Sequence, residues 1–233
     1  MCTLTYVPLE SGRIITSNRD ESPLRNANGL SPYISKKREE YLIAEEPLHG
    51  GTNTAIGKDY RNTILLNGAF KPHDMTKAYG LSRGIVLLTS LDYQNAFEFA
   101  YDFEFESIQP FTLVDFQMDA IREIRWDGKK LHKATFAVEE PHLWASAQMY
   151  LEKAQQDRLD WFRKLLRIEN LDADKILDFH FNGGNGDPEN DMVMNRGDFV
   201  QTVSISQVLE QSNKKEIKHF DLISDSERNY HFA

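Results

Sequence analysis

The chain has 233 residues, 40% of them hydrophobic and 27% charged, with a formal net charge of −9. That balance is ordinary for a globular domain and excludes the basic footprint that non-specific nucleic-acid binding needs. Cysteine occurs once, which excludes an intramolecular disulfide and a thiolate zinc site, and no stretch approaches the roughly 18 apolar residues of a membrane span. The start, MCTLTYVPLESG, lacks the basic and apolar regions of a secretory leader, so the expected compartment is the cytoplasm, where a thiol stays reduced.

Residues 2–8 and 13–18 are β-rich runs around Glu10-Ser11-Gly12 and predict an opening hairpin. Residues 22–38, rich in Pro, Asn and Ser, predict a long loop, and long loops inside compact domains tend to serve function. A short strand is expected over Glu40–Ala44. His49-Gly50-Gly51-Thr52 turns the chain into strands at 53–57 and 62–67, and an irregular stretch runs on through Gly80. Two helices are expected at 82–91 and 94–101. A period of two then marks a meander over Phe111–Phe116, Ala120–Trp126 and Lys130–Phe136, with Asp127-Gly128 as a hairpin turn.

Residues 147–167 predict the clearest helix. Met149, Leu151, Ala154, Leu159, Phe162 and Leu165 supply its buried stripe, and Ser146 is a candidate N-cap. A shorter helix follows at Asp174–Phe181, then a Gly-rich loop at 182–190 and strands at Phe199–Val208 and Ile217–Ile223. Strands and helices come in segregated blocks, with no internal repeat and no linker. This order suits a single α+β domain over residues 1–233, with two sheets face to face and helices outside each.

Chemistry concentrates at the two ends of the first hairpin. Removal of Met1 would make Cys2 the first residue, joining a thiol nucleophile to an α-amine whose unperturbed pKa of about 8 suits it to take the thiol proton. Ser17-Asn18-Arg19-Asp20-Glu21 closes the second strand. Antiparallel pairing couples residues whose numbers sum to a constant. A two-residue loop at Glu10-Ser11 sets Cys2 opposite Arg19, one at Ser11-Gly12 sets it opposite Glu21, and a three-residue loop sets it opposite Asp20. A guanidinium beside the thiol would favour the thiolate, and a carboxylate would orient the amine. The alternative is a surface ion pair that merely closes a strand.

The seven histidines show no metal spacing, and Gly183-Gly184-Asn185-Gly186 is no phosphate loop because no Lys-Ser/Thr follows. No metal is expected and no cofactor is required. The aromatics of 93–116 are expected in the core, with an acyl or porphyrin pocket as the alternative use.

Met-Cys-Thr at the start, with Asn18-Arg19-Asp20-Glu21, resembles the NRDE family, which includes the transport and Golgi organisation protein 2 of eukaryotes. Further matching segments are Gly50-Gly51-Thr52, Leu66-Asn67-Gly68, Ser82-Arg83-Gly84 and Gly186-Asp187-Pro188-Glu189-Asn190. The last, with Met194-Asn195-Arg196 and Thr202-Val203-Ser204-Ile205-Ser206, is similar to bacterial members. The resemblance implies the four-layer αββα fold of N-terminal-nucleophile hydrolases and the branch of penicillin acylases and bile-salt hydrolases, which cleave amides.

On that resemblance Cys2 matches the nucleophile, and Arg19 with Asp20 or Glu21 matches the branch's Arg/Asp pair loosely, since order and spacing differ. Asn67 falls where the branch places an oxyanion-hole Asn, or else serves as a turn residue before Gly68. Asn18 and Glu21 are candidate binding residues, and Ser146 is either a hydrogen-bond donor or the helix cap. Two positions depart from the pattern: Asn53 stands where many members have Trp, and Trp144-Ala145-Ser146-Ala147 where acylases use a second Asn. The expected partner is a small amide or acyl substrate. The family also implies a second reading, a non-catalytic carrier of haem or an acyl-coenzyme A.

Overall fold

A computed structural model describes residues 2–74, 76, 79–211 and 214–232. In chain order the strands and helices are β1 (Cys2–Leu9), β2 (Gly12–Glu21), β3 (Ser31–Ile34), β4 (Glu40–Glu45), β5 (Thr52–Gly57), β6 (Asn62–Asn67), α1 (Arg83–Ser90), α2 (Ala96–Asp102), β7 (Phe111–Phe116), β8 (Ile121–Trp126), β9 (Leu131–Phe136), β10 (His142–Ala145), α3 (Glu152–Leu165), α4 (Ala173–Asn182), β11 (Gln201–Gln211), β12 (Lys214–Asp221) and β13 (Ser226–Tyr230). The class is α+β, with two antiparallel sheets, and among the described residues no helix is long and apolar enough to cross a membrane.

The chain divides into two compact units. The first comprises Met1–Asn26, Glu140–Ala145 and Tyr150–Ala233. Its six-stranded sheet runs β10-β1-β2-β11-β12-β13 and carries α3 and α4. Val7 and Ile14 of the hairpin pack there against Phe162 and Leu165 of α3 and Ile176 and Phe179 of α4. Gly12 opens β2 at a φ of +154°, and a Cβ built on it would lie 1.8 Å from the Glu210 carbonyl oxygen. Only glycine lets β11 approach β2 this closely, so the turn and the strand pairing depend on the same residue.

The second unit comprises Ala27–Glu139 and Ser146–Met149. Its seven-stranded sheet follows chain order from β3 to β9. Val86, Leu87 and Phe99 from α1 and α2 pack against Leu65, Phe111, Leu113 and Ile124 of that sheet. The aromatics of 93–116 are mostly core: Phe99 stacks 4.6 Å from Phe103, and Phe105 lies 5.6 Å from Trp126, while Tyr101 is exposed. A buried ion pair, Arg61 Nε to Asp115 Oδ1 at 2.9 Å, ties β6 to β7, and the other Asp115 oxygen accepts the Ala96 N–H at the head of α2. The Gly50-Gly51-Thr52 and Ser82-Arg83-Gly84 segments meet here. A Cβ on Gly84 would sit 2.7 Å from the Thr52 nitrogen and 2.9 Å from the Gly51 Cα.

The structure departs from the sequence reading in several places, the unanticipated strand β10 at His142–Ala145 among them. The expected 22–38 loop contains a 3-10 turn at Pro23–Arg25 and the edge strand β3, where Pro32 is tolerated because an edge leaves one side without ladder bonds. The long helix begins at Glu152, with Leu151 rather than Ser146 at its N-cap, and Leu151 is exposed instead of belonging to the buried stripe. Residues just upstream are taken by other bonds: His142–Ala145 pairs with β1, and Tyr150 bonds to Asp20. Strand β13 is not anticipated, because Ser226–Tyr230 is mostly polar and lies at the sheet edge.

Gly84→Ala tests the glycine contact. Helix propensity alone favours Ala by about 1 kcal/mol. The clash is with backbone, which cannot swing aside, so a net loss of about 2 kcal/mol is expected in urea unfolding. Unchanged or increased stability would show that this contact is not tight.

Candidate active site

Cys2 opens β1 fully buried and pairs directly with Arg19 across the hairpin, with Leu9 opposite Gly12 at the far end. This is the register of the two-residue Glu10-Ser11 loop. Directly opposed residues project from the same sheet face with Cβ atoms about 5 Å apart, so thiol and guanidinium share one environment. The Arg19 head is steadied by a bond from Nη2 to the Arg25 carbonyl at 3.2 Å. Glu21 lies further along the same face. Its carboxylate accepts the Ser22 N–H at 2.9 Å and pairs with Arg25 at 3.4 Å. Burial works to raise the Glu21 pKa, but the positive chain terminus, then the Ser22 N–H and the Arg25 and Arg19 cations, hold it below the usual carboxylate range.

The face continues into strands that the sequence reading left out of the site. Arg19 pairs with Ser204 and Ser204 with Asp221, while one rung along Ser17 pairs with Ser206 and Ser206 with His219. Asn26 Nδ2 donates to Asp221 Oδ1 at 2.9 Å, and Ser206 Oγ bonds His219 Nδ1 at 2.8 Å. Burial, helped by the nearby Arg19 and Arg228 cations, pushes the His219 pKa down to about 4. The signal that could have found these residues is alternation: Ser204 and Ser206 are polar on every second position of a buried strand.

Asp20 projects from the opposite face and is fully buried. It lies one residue past the Cys2–Arg19 pair, on the side of the Cys2 backbone nitrogen. Tyr150 O–H donates to its Oδ2 at 2.5 Å, and Thr202 O–H to its Oδ1 at 2.7 Å. Burial pushes the Asp20 pKa up, and these two donors pull against that shift. Tyr150 is pushed well above the ordinary tyrosine value, chiefly by burial and then by the Asp20 charge.

Asn18, on the same face as Asp20, is used up by the scaffold. Its Nδ2 donates to the Met192 carbonyl at 2.7 Å and the His180 carbonyl at 2.9 Å, and its Oδ1 accepts from His180 Nδ1. In the neutral ring Nε2 then accepts from the Thr5 hydroxyl, 2.7 Å away. Burial pushes the His180 pKa down to about 3, so the ring is neutral, with its one proton on Nδ1 facing Asn18.

Asn67 and Ser146 belong to the second unit, and the structure joins them to each other. Ser146 Oγ donates to the Asn67 carbonyl at 2.6 Å, and the Gln148 N–H reaches the same oxygen at 3.2 Å. The Ser146 hydroxyl proton is therefore committed to the backbone at the end of β6. Among the described residues no three His, Cys, Asp or Glu side chains converge as a metal site.

No protein-family model and no curated protein matches the chain. Solved structures do. Penicillin V acylase from Agrobacterium tumefaciens aligns over 98% of this chain and 85% of its own, at 10% identity and a TM-score of 0.55. A variant of the conjugated bile acid hydrolase from Clostridium perfringens aligns over 98% and 92%, at 9% identity and a TM-score of 0.53. A Caenorhabditis elegans orthologue of N-acylethanolamine-hydrolyzing acid amidase aligns over 89% and 92%, at 11% identity and a TM-score of 0.57. These likenesses establish the fold: the chain has the N-terminal-nucleophile hydrolase fold.

The His180 arrangement makes stability depend on pH. His180 stays neutral in the fold, whereas the unfolded chain takes a proton there near pH 6.5. Stability is therefore full above pH 6.5 and falls as the pH drops towards 3. Between about pH 7.5 and 5 this single group removes about 2 kcal/mol. Urea unfolding at the two pH values should show that loss in the wild type and a smaller one in His180→Gln. Equal losses would mean that His180 is not held neutral.

Proposed function

We propose that the protein is an N-terminal-cysteine hydrolase that cleaves the C–N bond of a small-molecule amide, and that it is a bacterial-type NRDE-family protein. The observation that carries the reading is Cys2 itself, buried at the first position of β1, opposite a guanidinium, in a chain with this fold. The solved structures of similar fold are named as a penicillin V acylase, a conjugated bile acid hydrolase and an N-acylethanolamine-hydrolyzing acid amidase, which supports this reaction class and leaves the acyl group open. Family membership draws support from the meeting of Gly51 with Gly84, which gives two of the matching segments one structural purpose.

The reaction begins with removal of Met1, which the small Cys2 side chain permits. The freed α-amine takes the thiol proton, and Arg19 favours the resulting thiolate. Sγ attacks the amide carbonyl, giving a tetrahedral oxyanion. A well-aimed amide N–H supplies about 3 kcal/mol of stabilisation to such an oxyanion. The ammonium then returns its proton to the departing amine, the C–N bond breaks, and a thioester remains on Sγ. Water, deprotonated by the α-amine, attacks the thioester and releases the carboxylic acid with the thiol restored. Asp20 anchors the amine throughout.

A panel of chromogenic N-acyl amides tests this. Wild-type protein with Cys2 as its first residue should hydrolyse at least one member, and Cys2→Ala should lower kcat by about a thousandfold or more. Arg19→Gln should lose about tenfold to a hundredfold in kcat/KM. Hydrolysis that survives in Cys2→Ala would remove Cys2 as the nucleophile.

A further inference from the structure

We propose that Arg158, which grips Thr3 and stacks on Tyr150, and Tyr150, which donates to Asp20, together hold Asp20 as an anion beneath the Cys2 α-amine, which makes Tyr150 and Arg158 positioning residues for the nucleophile. The inference rests on the reading of Cys2 as an N-terminal nucleophile and goes beyond it, because it assigns a task to three residues outside the Asn18–Glu21 segment.

The direction of each bond follows from the chemistry of the groups. Arg158 is the largest fully buried side chain among the described residues. Its Nε donates to Thr3 Oγ1 at 3.1 Å, its Nη2 to the Asp191 carbonyl at 2.8 Å and its Nη1 to the Ala154 carbonyl at 3.4 Å. The guanidinium carbon stands 3.5 Å from the centre of the Tyr150 ring, stacked over its face. A guanidinium has donors alone, so Thr3 Oγ1 accepts. Tyr150, its ring held against that guanidinium, gives its hydroxyl proton to Asp20 Oδ2.

The second Asp20 oxygen is set in the same way. The Met194 N–H donates to Thr202 Oγ1 at 2.9 Å, which turns the Thr202 proton onto Asp20 Oδ1. Both carboxylate oxygens therefore accept a hydroxyl hydrogen bond, an arrangement that favours the carboxylate over the acid. The surroundings are built for the anion. A buried anion needs a cation in contact with it. Tyr150 stands between Asp20 and Arg158. The Cys2 nitrogen lies next along the hairpin, where removal of Met1 would create an ammonium. Thr3, the residue after the nucleophile, is gripped by the same guanidinium, so Arg158 also fixes the backbone that carries Sγ.

The test reads thiol reactivity and needs no substrate. Protein with Cys2 as its first residue is alkylated with iodoacetamide between about pH 5 and 9, followed by intact mass. Tyr150→Phe and Thr202→Val each remove one donor to Asp20 with little change of shape. The amine then loses part of its counter-charge, the thiolate loses its ammonium partner, and the midpoint of the alkylation profile rises. Alkylation near pH 6 should be about tenfold slower in both. Thr202→Ser keeps the hydroxyl and should keep the wild-type profile. The other titratable or charged groups about the site, Arg19 and Glu21 on β2, Arg158 on α3, Arg196 before β11 and His219 and Asp221 on β12, are the same in every variant.

Profiles that coincide in all variants, whatever their stability, would overturn the inference and leave a purely structural network. If Tyr150→Phe fails to fold, the Thr202→Val and Thr202→Ser pair decides alone. Amide hydrolysis is assayed in parallel on the wild type. Shifted profiles without any hydrolysis sink the proposed function and keep the positioning role, whereas hydrolysis with unshifted profiles does the reverse.

Discussion

A two-residue turn at Glu10-Ser11 determines where every side chain of the first hairpin points. Because Leu9 pairs with Gly12, Cys2 must pair with Arg19, and residues 18 and 20 must turn to the other face. A slip of one residue would reverse every side chain of β2 and bring Asp20 to the thiol in place of Arg19. Gly12 guards against that slip, since any side chain there would collide with the Glu210 carbonyl. The register is thus held by a turn at one end and by a close backbone approach from β11, far from the residues whose chemistry it arranges.

The two faces of the hairpin then divide the work. On one lie Cys2, Arg19 and Glu21, with Ser204, Asp221 and His219 continuing the row across the sheet. On the other, Asn18 and Asp20 are drawn into networks with α4, the loop before β11 and Tyr150. Asn18 is spent entirely on holding His180 and Met192, so its contribution to the Asn18–Glu21 segment is architectural. Asp20 is different. It is buried, accepts two short hydrogen bonds and adjoins the Cys2 nitrogen, which suits it to hold a charged amine rather than to touch a substrate.

Much of this was legible in the sequence and some was not. The hairpin, the meander from Phe111 to Phe136 and the helices near 82–91, 94–101 and 174–181 follow from local periodicity and turn residues. Arithmetic on the hairpin narrowed the partner of Cys2 to three residues, and the turn length chose among them. Long-range bonds were beyond such reading. Ser146 looks like a helix cap because it precedes an amphipathic run, yet its hydroxyl serves the Asn67 carbonyl and the helix starts six residues later, at Glu152. Arg158 reads as one more charge on an exposed helix face, whereas it is fully buried because Thr3, Tyr150 and Asp191 together satisfy it. Propensity describes a segment, and these residues are set by partners 79 and 155 positions away and by loops that carry no pattern.

The fold is shared with amide hydrolases at about a tenth sequence identity, so the central claim rests on the chemistry of Cys2 rather than on likeness. Peptide mass spectrometry of protein quenched in acid while turning over an N-acyl amide tests it most directly. The account predicts a first peptide that begins at Cys2 and carries the acyl group on Sγ. A first peptide that still begins at Met1, or one that begins at Cys2 and is never acylated during turnover, would contradict it.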